Sequence, residues 1–207
     1  MNYICLAAGK GTRLYPATLY LQKCMYPIGT RPFLEYTIRN LIAIFDVDKD
    51  SLTIVVGYYA EQIQNYFGYI FEGMRIRYVH QKRLLGTGHA ICSVKEQVEI
   101  NEDVIVWLGD LYVTQDMFSA IKHRTGQNVL TVGKMPSQHH AHHQVDLDEY
   151  QVIRCWNGAS QYGDIGLWRL QSGFVSQINN YRSRRHDEDR ALLLFQNAID
   201  DGTYFGY

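Results

Sequence analysis

This chain of 207 residues lacks several features that would place it in a particular class of protein. No apolar run is long enough to cross a bilayer, so we expect no membrane-spanning helix. No charged leader or cleavage site precedes the first apolar segment, so we expect no export signal. Lys and Arg (20) nearly balance Asp and Glu (21), which leaves no overall field to attract nucleic acid or an anionic membrane. Any bound anion must therefore be held by a local site.

Cysteine is scarce, and linker-like segments are missing. The four cysteines, Cys5, Cys24, Cys92 and Cys155, are scattered and show no C-x-x-C spacing. This pattern argues against a zinc site and favours reduced thiols, so we expect a cytoplasmic protein. There is no Pro/Gly/Ser-rich linker, repeat or low-complexity run, and residues 1–207 are predicted to form one domain.

Apolar, β-branched segments alternate with segments of helical spacing through about residue 125. Helices are predicted within residues 33–44, 60–71, 86–97 and 114–124, with Pro32 as a first-turn residue. From about Val129 closely spaced strands follow, with a turn at residues 147–150, and residues 172–181 and 187–200 read as closing helices. The predicted fold is α/β: a Rossmann-like mixed, mainly parallel sheet with helices on both faces and a small β addition in the second half.

A glycine-rich loop, "AAGKGTRL" (residues 7–14), follows the first predicted strand. Gly9 and Gly11 would let backbone N–H groups approach phosphate oxygens, and Lys10 and Arg13 add positive charge. The loop does not match the dinucleotide-binding motif G-x-G-x-x-G, because Leu14 stands where the last glycine should be. It does not match a Walker phosphate loop either, because "GKGTR" lacks the final G-K-[S/T]. Taken alone, the loop fits either a phosphate site or a tight turn with exposed basic residues.

Five segments in order carry a wider resemblance: "LAAGKGTRLYP", "QKCMYPIGTRPFLEYTIRNL", "TIVVGYYAEQIQNYFG", "HQKRLLGTGHAI" and "VIVWLGDLY". Together they resemble the sugar-1-phosphate nucleotidyltransferase family, densely over residues 2–112 and loosely beyond. The resemblance implies that a sugar phosphate oxygen attacks the α-phosphorus of a nucleoside triphosphate and that pyrophosphate leaves. Such chemistry requires positioning and charge neutralisation more than acid–base catalysis.

The resemblance also assigns roles to residues of this chain. It implies a nucleotide half (about 1–125) and an acceptor half (about 126–207), with Arg13, Lys23 and Asp110 as catalytic residues. Asp110 would hold Mg²⁺, and Lys23, Asp110 and Gly166 would contact the second substrate. The implied nucleotide-binding residues are Leu6, Ala7, Ala8, Gly9, Gly11, Thr12, Arg13, Gln81, Gly86 and Thr87.

For two of these assignments the residue could instead have a purely structural role. Lys23 could be a solvated surface lysine, and Asp110 could cap the helix that follows it, although Thr114 suits that role better. The family usually has proline before its lysine, whereas this chain has Gln22, and we expect the exchange to loosen the local backbone. By similarity, Gln81 and residues 86–90 read the edge of a pyrimidine, which favours UTP or dTTP, while no chemistry is assigned to His89.

The acceptor half departs from the family pattern. His143 replaces a usual glycine, and Cys155 and Trp156 stand where relatives have Glu-Lys-Pro. The acceptor could therefore be a sugar 1-phosphate. Alternatively, the protein could be a cytidylyltransferase whose acceptor is phosphocholine or another small phosphate. The protein could also be a nucleotide-sugar-binding homologue without turnover. The histidine cluster at 139–143 is better explained as a solvated loop than as a metal site.

Two further expectations concern the end of the chain and its assembly. Residues 191–207 resemble the helix and strand that precede a second metal-binding aspartate in relatives, and the sequence stops at Tyr207. We therefore expect either a shortened chain or a short form that relies on Asp110 and bound phosphates. Relatives are often dimers or tetramers, so a homo-oligomer is possible for this chain as well. The expected partners are an NTP and a phosphorylated small-molecule acceptor.

Overall fold

The structure, a computed structural model, describes residues 1–135, 144–155, 158–182 and 190–207. Its helices are α1 (Phe33–Ile42), α2 (Ala60–Phe67), α3 (Thr87–Gln97), α4 (Gln115–His123), α5 (Ser172–Gln177) and α6 (Ala191–Asp200). Short 3-10 helices cover Thr12–Leu14, Ala17–Leu19, Lys23–Met25 and Ile178–Tyr181. Its strands are β1 (Asn2–Leu6), β2 (Pro27–Ile28), β3 (Arg31–Pro32), β4 (Ser51–Val56), β5 (Ile70–Phe71), β6 (Met74–His80), β7 (Val104–Leu108), β8 (Asn128–Lys134), β9 (Gln144–Asp148), β10 (Gln151–Arg154), β11 (Tyr162–Leu170) and β12 (Phe205–Gly206).

Two predicted element boundaries are wrong. The helix expected over 60–71 ends at Phe67, because Gly68 adopts a positive φ of 61° and the next residues form strand β5. Pro32 was expected in the first turn of α1, but it lies in β3 and precedes the helix in an extended conformation.

The described residues form one large mixed sheet with the strand order β5-β6-β4-β1-β7-β11-β8-β12-β10-β9. The strands β6, β4, β1 and β7 are parallel, as the alternation of strands and helices predicts. β11 runs antiparallel to both β7 and β8, and the antiparallel pairings gather in the second half of the chain. The predicted α/β architecture with a mixed sheet is confirmed.

Helices cover both faces of this sheet because the buried strands alternate their side chains between two cores. Tyr3, Cys5 and Ala7 face one core, which contains the apolar sides of α1, α2 and α4. Ile4 and Leu6 face the other core, which contains those of α3, α5 and α6. No helix among the described residues is long and apolar enough to span a membrane.

The parallel strands place their carboxyl ends at one edge of the sheet. In the register of the sheet, Leu6 at the end of β1 lies opposite Val55 of β4 and Leu108 of β7. The loops that follow these strands therefore emerge side by side, which is where ligands bind in sheets of this kind. The glycine-rich loop and Asp110 both belong to this edge.

Candidate active site

The glycine-rich loop starts from a fixed base and then becomes exposed. Ala7 and Ala8 are buried; the Ala7 N–H donates to Val55 O (2.9 Å), and Ala8 O accepts from the Tyr58 N–H (3.0 Å). The predicted residues Gly9, Thr12 and Arg13 are exposed, and Gly11 is partly exposed. Arg13 lies in the 3-10 turn Thr12–Leu14, and its guanidinium makes no hydrogen bond or ion pair with any residue that the structure describes.

The two glycines of the loop lie over the side chain of Lys23. Gly11 has φ 64°, and a Cβ there would approach Lys23 Cβ to 3.0 Å and Thr18 Cγ2 to 3.1 Å. A Cβ on Gly9 would lie 3.9 Å from Lys23 Cε. The Thr18 hydroxyl donates to Gly11 O (3.1 Å) and holds the loop in this position. Glycine is therefore required at residue 11 both by the backbone angle and by the close approach of Lys23.

Lys23 and Asp110 meet at the edge of the sheet. Lys23 begins the 3-10 helix Lys23–Met25, and Asp110 follows the end of β7. The Gly109 N–H donates to Leu6 O (2.9 Å), which fixes the turn that carries Asp110 beside the end of β1. Lys23 Nζ lies 2.7 Å from Asp110 Oδ2, a distance typical of a charge-assisted hydrogen bond. Thr114, and not Asp110, caps α4, since its Oγ1 accepts from the Met117 N–H (3.2 Å).

The residue before Lys23 does not loosen the backbone, contrary to expectation. Gln22 is fully buried, and its side-chain amide donates to Ala7 O (2.7 Å) and accepts from the Cys24 N–H. Its backbone N–H donates to Gln62 Oε1 (2.7 Å). The expectation was wrong because glutamine supplies hydrogen bonds in place of the rigidity that proline would provide.

The predicted base pocket centres on Gln81, which is buried just beyond the end of β6. Its Nε2 donates to Gly86 O (2.9 Å) and lies 3.1 Å from His89 Nδ1. Nε2 is thereby engaged in two contacts, and Oε1, which bonds to none of the described residues, is the amide atom left for a ligand. Gly86 precedes α3, and the Thr87 hydroxyl accepts from the Ala191 N–H (2.9 Å). His89, to which the sequence assigned no chemistry, thus contacts the residue expected to read the base.

One strand of the acceptor half reaches the same edge. Gly166 in β11 has φ 86°, and a Cβ there would lie 2.6 Å from Leu108 Cδ1 at the end of β7. Two residues earlier, Asp164 Oδ1 accepts from Trp168 Nε1 (2.6 Å). The pKa of Asp164 is raised to about 7 because the protein removes water from its carboxyl, an effect that hydrogen bonds from Trp168 and the Gly166 backbone only partly offset.

Cys155 belongs to the core and does not face a ligand. It is fully buried, its thiol donates to Leu192 O (3.2 Å), and burial raises the pKa of that thiol. It therefore cannot replace the charged residues that are expected to bind the acceptor at this point of the sequence in relatives. Trp156, His143 and the histidine cluster at 139–143 lie outside the described residues, as do residues 183–189. All four cysteines are buried, and none of them forms a disulfide.

Asp110 is the candidate metal ligand, and its environment fits magnesium only together with a substrate. In the part of the chain that the structure describes, no three His, Cys, Asp or Glu side chains cluster closely enough to hold a metal ion. Asp110 is 46% exposed, and only its Oδ2 is bonded to Lys23. Mg²⁺ commonly binds through one or two carboxylates, with water and substrate phosphates completing its octahedral shell. A single accessible carboxylate at this edge suits that mode.

Comparisons with known proteins agree with this architecture. A family model described as nucleotidyl transferase matches residues 2–154. The chain is 38% identical over its whole length to 49% of the bifunctional protein GlmU of Methanococcus maripaludis. Over 59% of its length it is 33% identical to 48% of the UTP–glucose-1-phosphate uridylyltransferase AglF of Haloferax volcanii. The chain thus spans about half the length, or less, of these curated relatives.

Solved structures share the fold at low sequence identity. A UDP-glucose pyrophosphorylase complexed with UDP-glucose has a TM-score of 0.79 at 19% identity, covering 99% of this chain and 89% of that one. An inositol-1-phosphate CTP transferase from T. maritima has a TM-score of 0.76 at 20% identity, covering 99% of this chain and 83% of that one.

Proposed function

Because the chain belongs to the nucleotidyl transferase family, we propose that it transfers a nucleotidyl group from a nucleoside triphosphate to a sugar 1-phosphate. The products are a nucleoside-diphosphate sugar and pyrophosphate. The observation that carries this proposal is the Lys23–Asp110 pair, which lies beside the glycine-rich loop at the edge where parallel strands end. A cation and a carboxylate side by side suit a reaction between anionic substrates.

In the proposed reaction an oxygen of the acceptor phosphate forms a bond to the α-phosphorus of the NTP. The bond from the α-phosphorus to its bridging oxygen breaks, and the electron pair leaves with pyrophosphate. The loop N–H groups and Arg13 would hold the triphosphate, and Lys23 would neutralise charge between the two substrates. Asp110 would hold Mg²⁺, which when bound neutralises phosphate charge.

We propose UTP or dTTP as the nucleotide donor. Uracil and thymine present an N–H at ring position 3, whereas cytosine presents an acceptor there. With the amide nitrogen of Gln81 engaged by Gly86 O and His89, its Oε1 is suited to accept from that N–H. The similarity to the uridylyltransferase AglF supports the same choice.

The acceptor assignment has a competitor. The buried Cys155 stands in place of a charged family residue, and this observation favours an acceptor other than a hexose phosphate. A cytidylyltransferase that acts on phosphocholine or another small phosphate is the second candidate. A binding protein without turnover is the third, and the intact pair of Lys23 and Asp110 disfavours it.

Pyrophosphate release separates these candidates. The protein is incubated with Mg²⁺, each NTP or dTTP, and a panel of phosphorylated acceptors, with Asp110→Asn as the inactive control. Release with a hexose 1-phosphate and UTP or dTTP supports the proposal, whereas release only with CTP and another phosphate supports the second candidate. Nucleotide binding without release, in a chain extended to the length of its relatives, would overturn the enzymatic proposal.

A further inference from the structure

We propose that Gln22 is a positioning residue that holds Lys23 in register with the glycine-rich loop. The inference rests on the proposed function, because it concerns the same lysine. Gln22 contacts neither substrate site directly, since it is fully buried behind the loop. Its effect would therefore be exerted through the residue that follows it.

The side chain of Gln22 joins two backbone segments of the site. Its Nε2 donates to Ala7 O (2.7 Å), where β1 passes into the glycine-rich loop. Its Oε1 accepts from the Cys24 N–H and so caps the 3-10 helix that begins with Lys23. One amide therefore ties the first residue of the loop to the turn that presents the lysine.

A second set of hydrogen bonds anchors Gln22 to the start of α2. The Gln22 N–H donates to Gln62 Oε1 (2.7 Å), while Gln62 Nε2 donates to Tyr20 O (2.8 Å). The hydroxyls of Tyr58 and Tyr59 donate to the carbonyls of Thr18 (2.9 Å) and Leu19 (2.6 Å). The segment before Lys23 is thus fixed at several consecutive residues, and Gln22 links this anchor to β1.

Small displacements of Lys23 would matter because its surroundings are tight. The backbone of Gly11 is close enough to Lys23 that an added Cβ would come within 3.0 Å of Lys23 Cβ. On the other side, Nζ lies 2.7 Å from Asp110 Oδ2. A lysine held between these two limits has a defined ammonium position, and misplacement by about 1 Å in an active site can cost about 100-fold in rate.

The test uses Gln22→Met, which keeps the length of the side chain and removes its hydrogen bonds. We expect kcat for pyrophosphate release to fall by about 10- to 100-fold, at temperatures where the variant is fully folded, with a smaller change in the KM for UTP. Tyr78→Phe is the matched control, because it also removes a side-chain hydrogen bond to a backbone carbonyl, that of Gly68 (2.6 Å), away from the site. Its kcat should stay within about twofold of wild type, because β6, which carries Tyr78, lies two strands away from β1 in the sheet.

A double-mutant cycle distinguishes positioning from general destabilisation. If Gln22 acts through Lys23, then Gln22→Met adds little to the loss already caused by Lys23→Met. Two losses that multiply, or an unchanged kcat in Gln22→Met alone, would overturn the inference. If Gln22→Met does not fold, Gln62→Leu is the alternative variant. It removes the hydrogen bond that the Gln22 N–H donates to the partly buried Gln62, and it should also lower kcat.

A second readout does not depend on turnover. Limited acetylation with acetic anhydride should modify Lys23 faster in Gln22→Met than in wild type, while the exposed Lys10 reacts equally in both. If wild type releases no pyrophosphate with any donor and acceptor, the proposed function fails, and the labelling alone decides on Gln22. Equal labelling of Lys23 in both proteins would then contradict the inference.

Discussion

Lys23 Nζ and Asp110 Oδ2 lie 2.7 Å apart although 87 residues separate them in the sequence. The parallel pairing of β1 with β7 brings the two segments together at one edge of the sheet. Because the side chains are 20% and 46% exposed, this ion pair stabilises the fold by less than about 1 kcal/mol. We therefore expect removal of the pair to affect the proposed reaction more than the stability of the fold.

Removing one charge of the site should abolish most of the activity without unfolding the protein. We expect Arg13→Ala and Asp110→Asn each to lower the rate of pyrophosphate release by at least ~100-fold, the scale of losing one preorganised charge contact. The melting temperature should change little, since both side chains are exposed or half-exposed. Losses of tenfold or less in both variants would mean that these residues are not the catalytic ones.

The glycine at residue 11 should be needed for activity as well as for stability. Gly11→Ala would strain a backbone with φ 64° and push on Lys23, so both the melting temperature and kcat should fall. Gly126→Ala is the matched control, because Gly126 has φ 82° and nothing within 4 Å of an added Cβ. The control should lower the melting temperature alone, as measured by calorimetry beside the pyrophosphate assay. Equal kcat values in both variants would contradict the close approach to Lys23.

The contact between His89 and Gln81 should contribute to the choice of base. In His89→Leu the amide nitrogen of Gln81 loses an acceptor, and the amide can turn so that it also suits cytosine. We expect the ratio of kcat/KM for UTP over CTP to fall by about tenfold, equivalent to about 1.4 kcal/mol. Glu96→Ala, an exposed change on the same helix, should leave the ratio unchanged. An unaltered ratio in His89→Leu would remove His89 from base selection.

Asp164 should make the protein less stable as the pH rises. Its pKa is raised to about 7 in the folded state by burial, whereas an unfolded aspartate titrates near 4. Between these values the unfolded chain has released a proton that the folded chain retains, so the free energy of unfolding decreases as pH increases. Asp164→Asn keeps the acceptor for Trp168 Nε1 and should remove this decrease.

Thermal melts at several pH values test the Asp164 prediction. The melting temperature of Asp164→Asn relative to wild type should rise from pH 4 to about pH 7 and then level off. A difference that is constant over this range would show that Asp164 does not titrate with a raised pKa.

The sequence predicts the helices and strands well because their signals are local. The continuous burial of β1 follows from its unbroken apolar run, and the apolar face of α1 follows from residue spacing within the helix. The family expected from five motifs is confirmed by the match over residues 2–154. The placement of Lys23 and Asp110 at one edge agrees with that resemblance, and their roles in the reaction stay predictions.

The contacts of Gln22 and His89 could not be predicted in the same way. Gln22 bonds to residues 15 and 40 positions away, and no periodicity encodes such contacts. The available signal was the glutamine before Lys23 in place of the usual proline, because an amide that becomes buried must find partners. His89 lies eight residues from Gln81, and their contact depends on the turn at Gly86. A glycine allows such a turn but does not indicate which side chains it brings together.

The double pairing of β11 restricts how the protein can enclose its ligands. Since β11 is hydrogen-bonded to β7 on one side and to β8 on the other, the two halves of the chain share a continuous ladder. A hinge between the halves would have to break hydrogen bonds of that ladder, which opposes rigid-body movement of one half against the other. If the proposed reaction takes place, tightening around a ligand would then fall to the segments that emerge beyond the strand ends, and these short stretches of backbone would set the speed of product release.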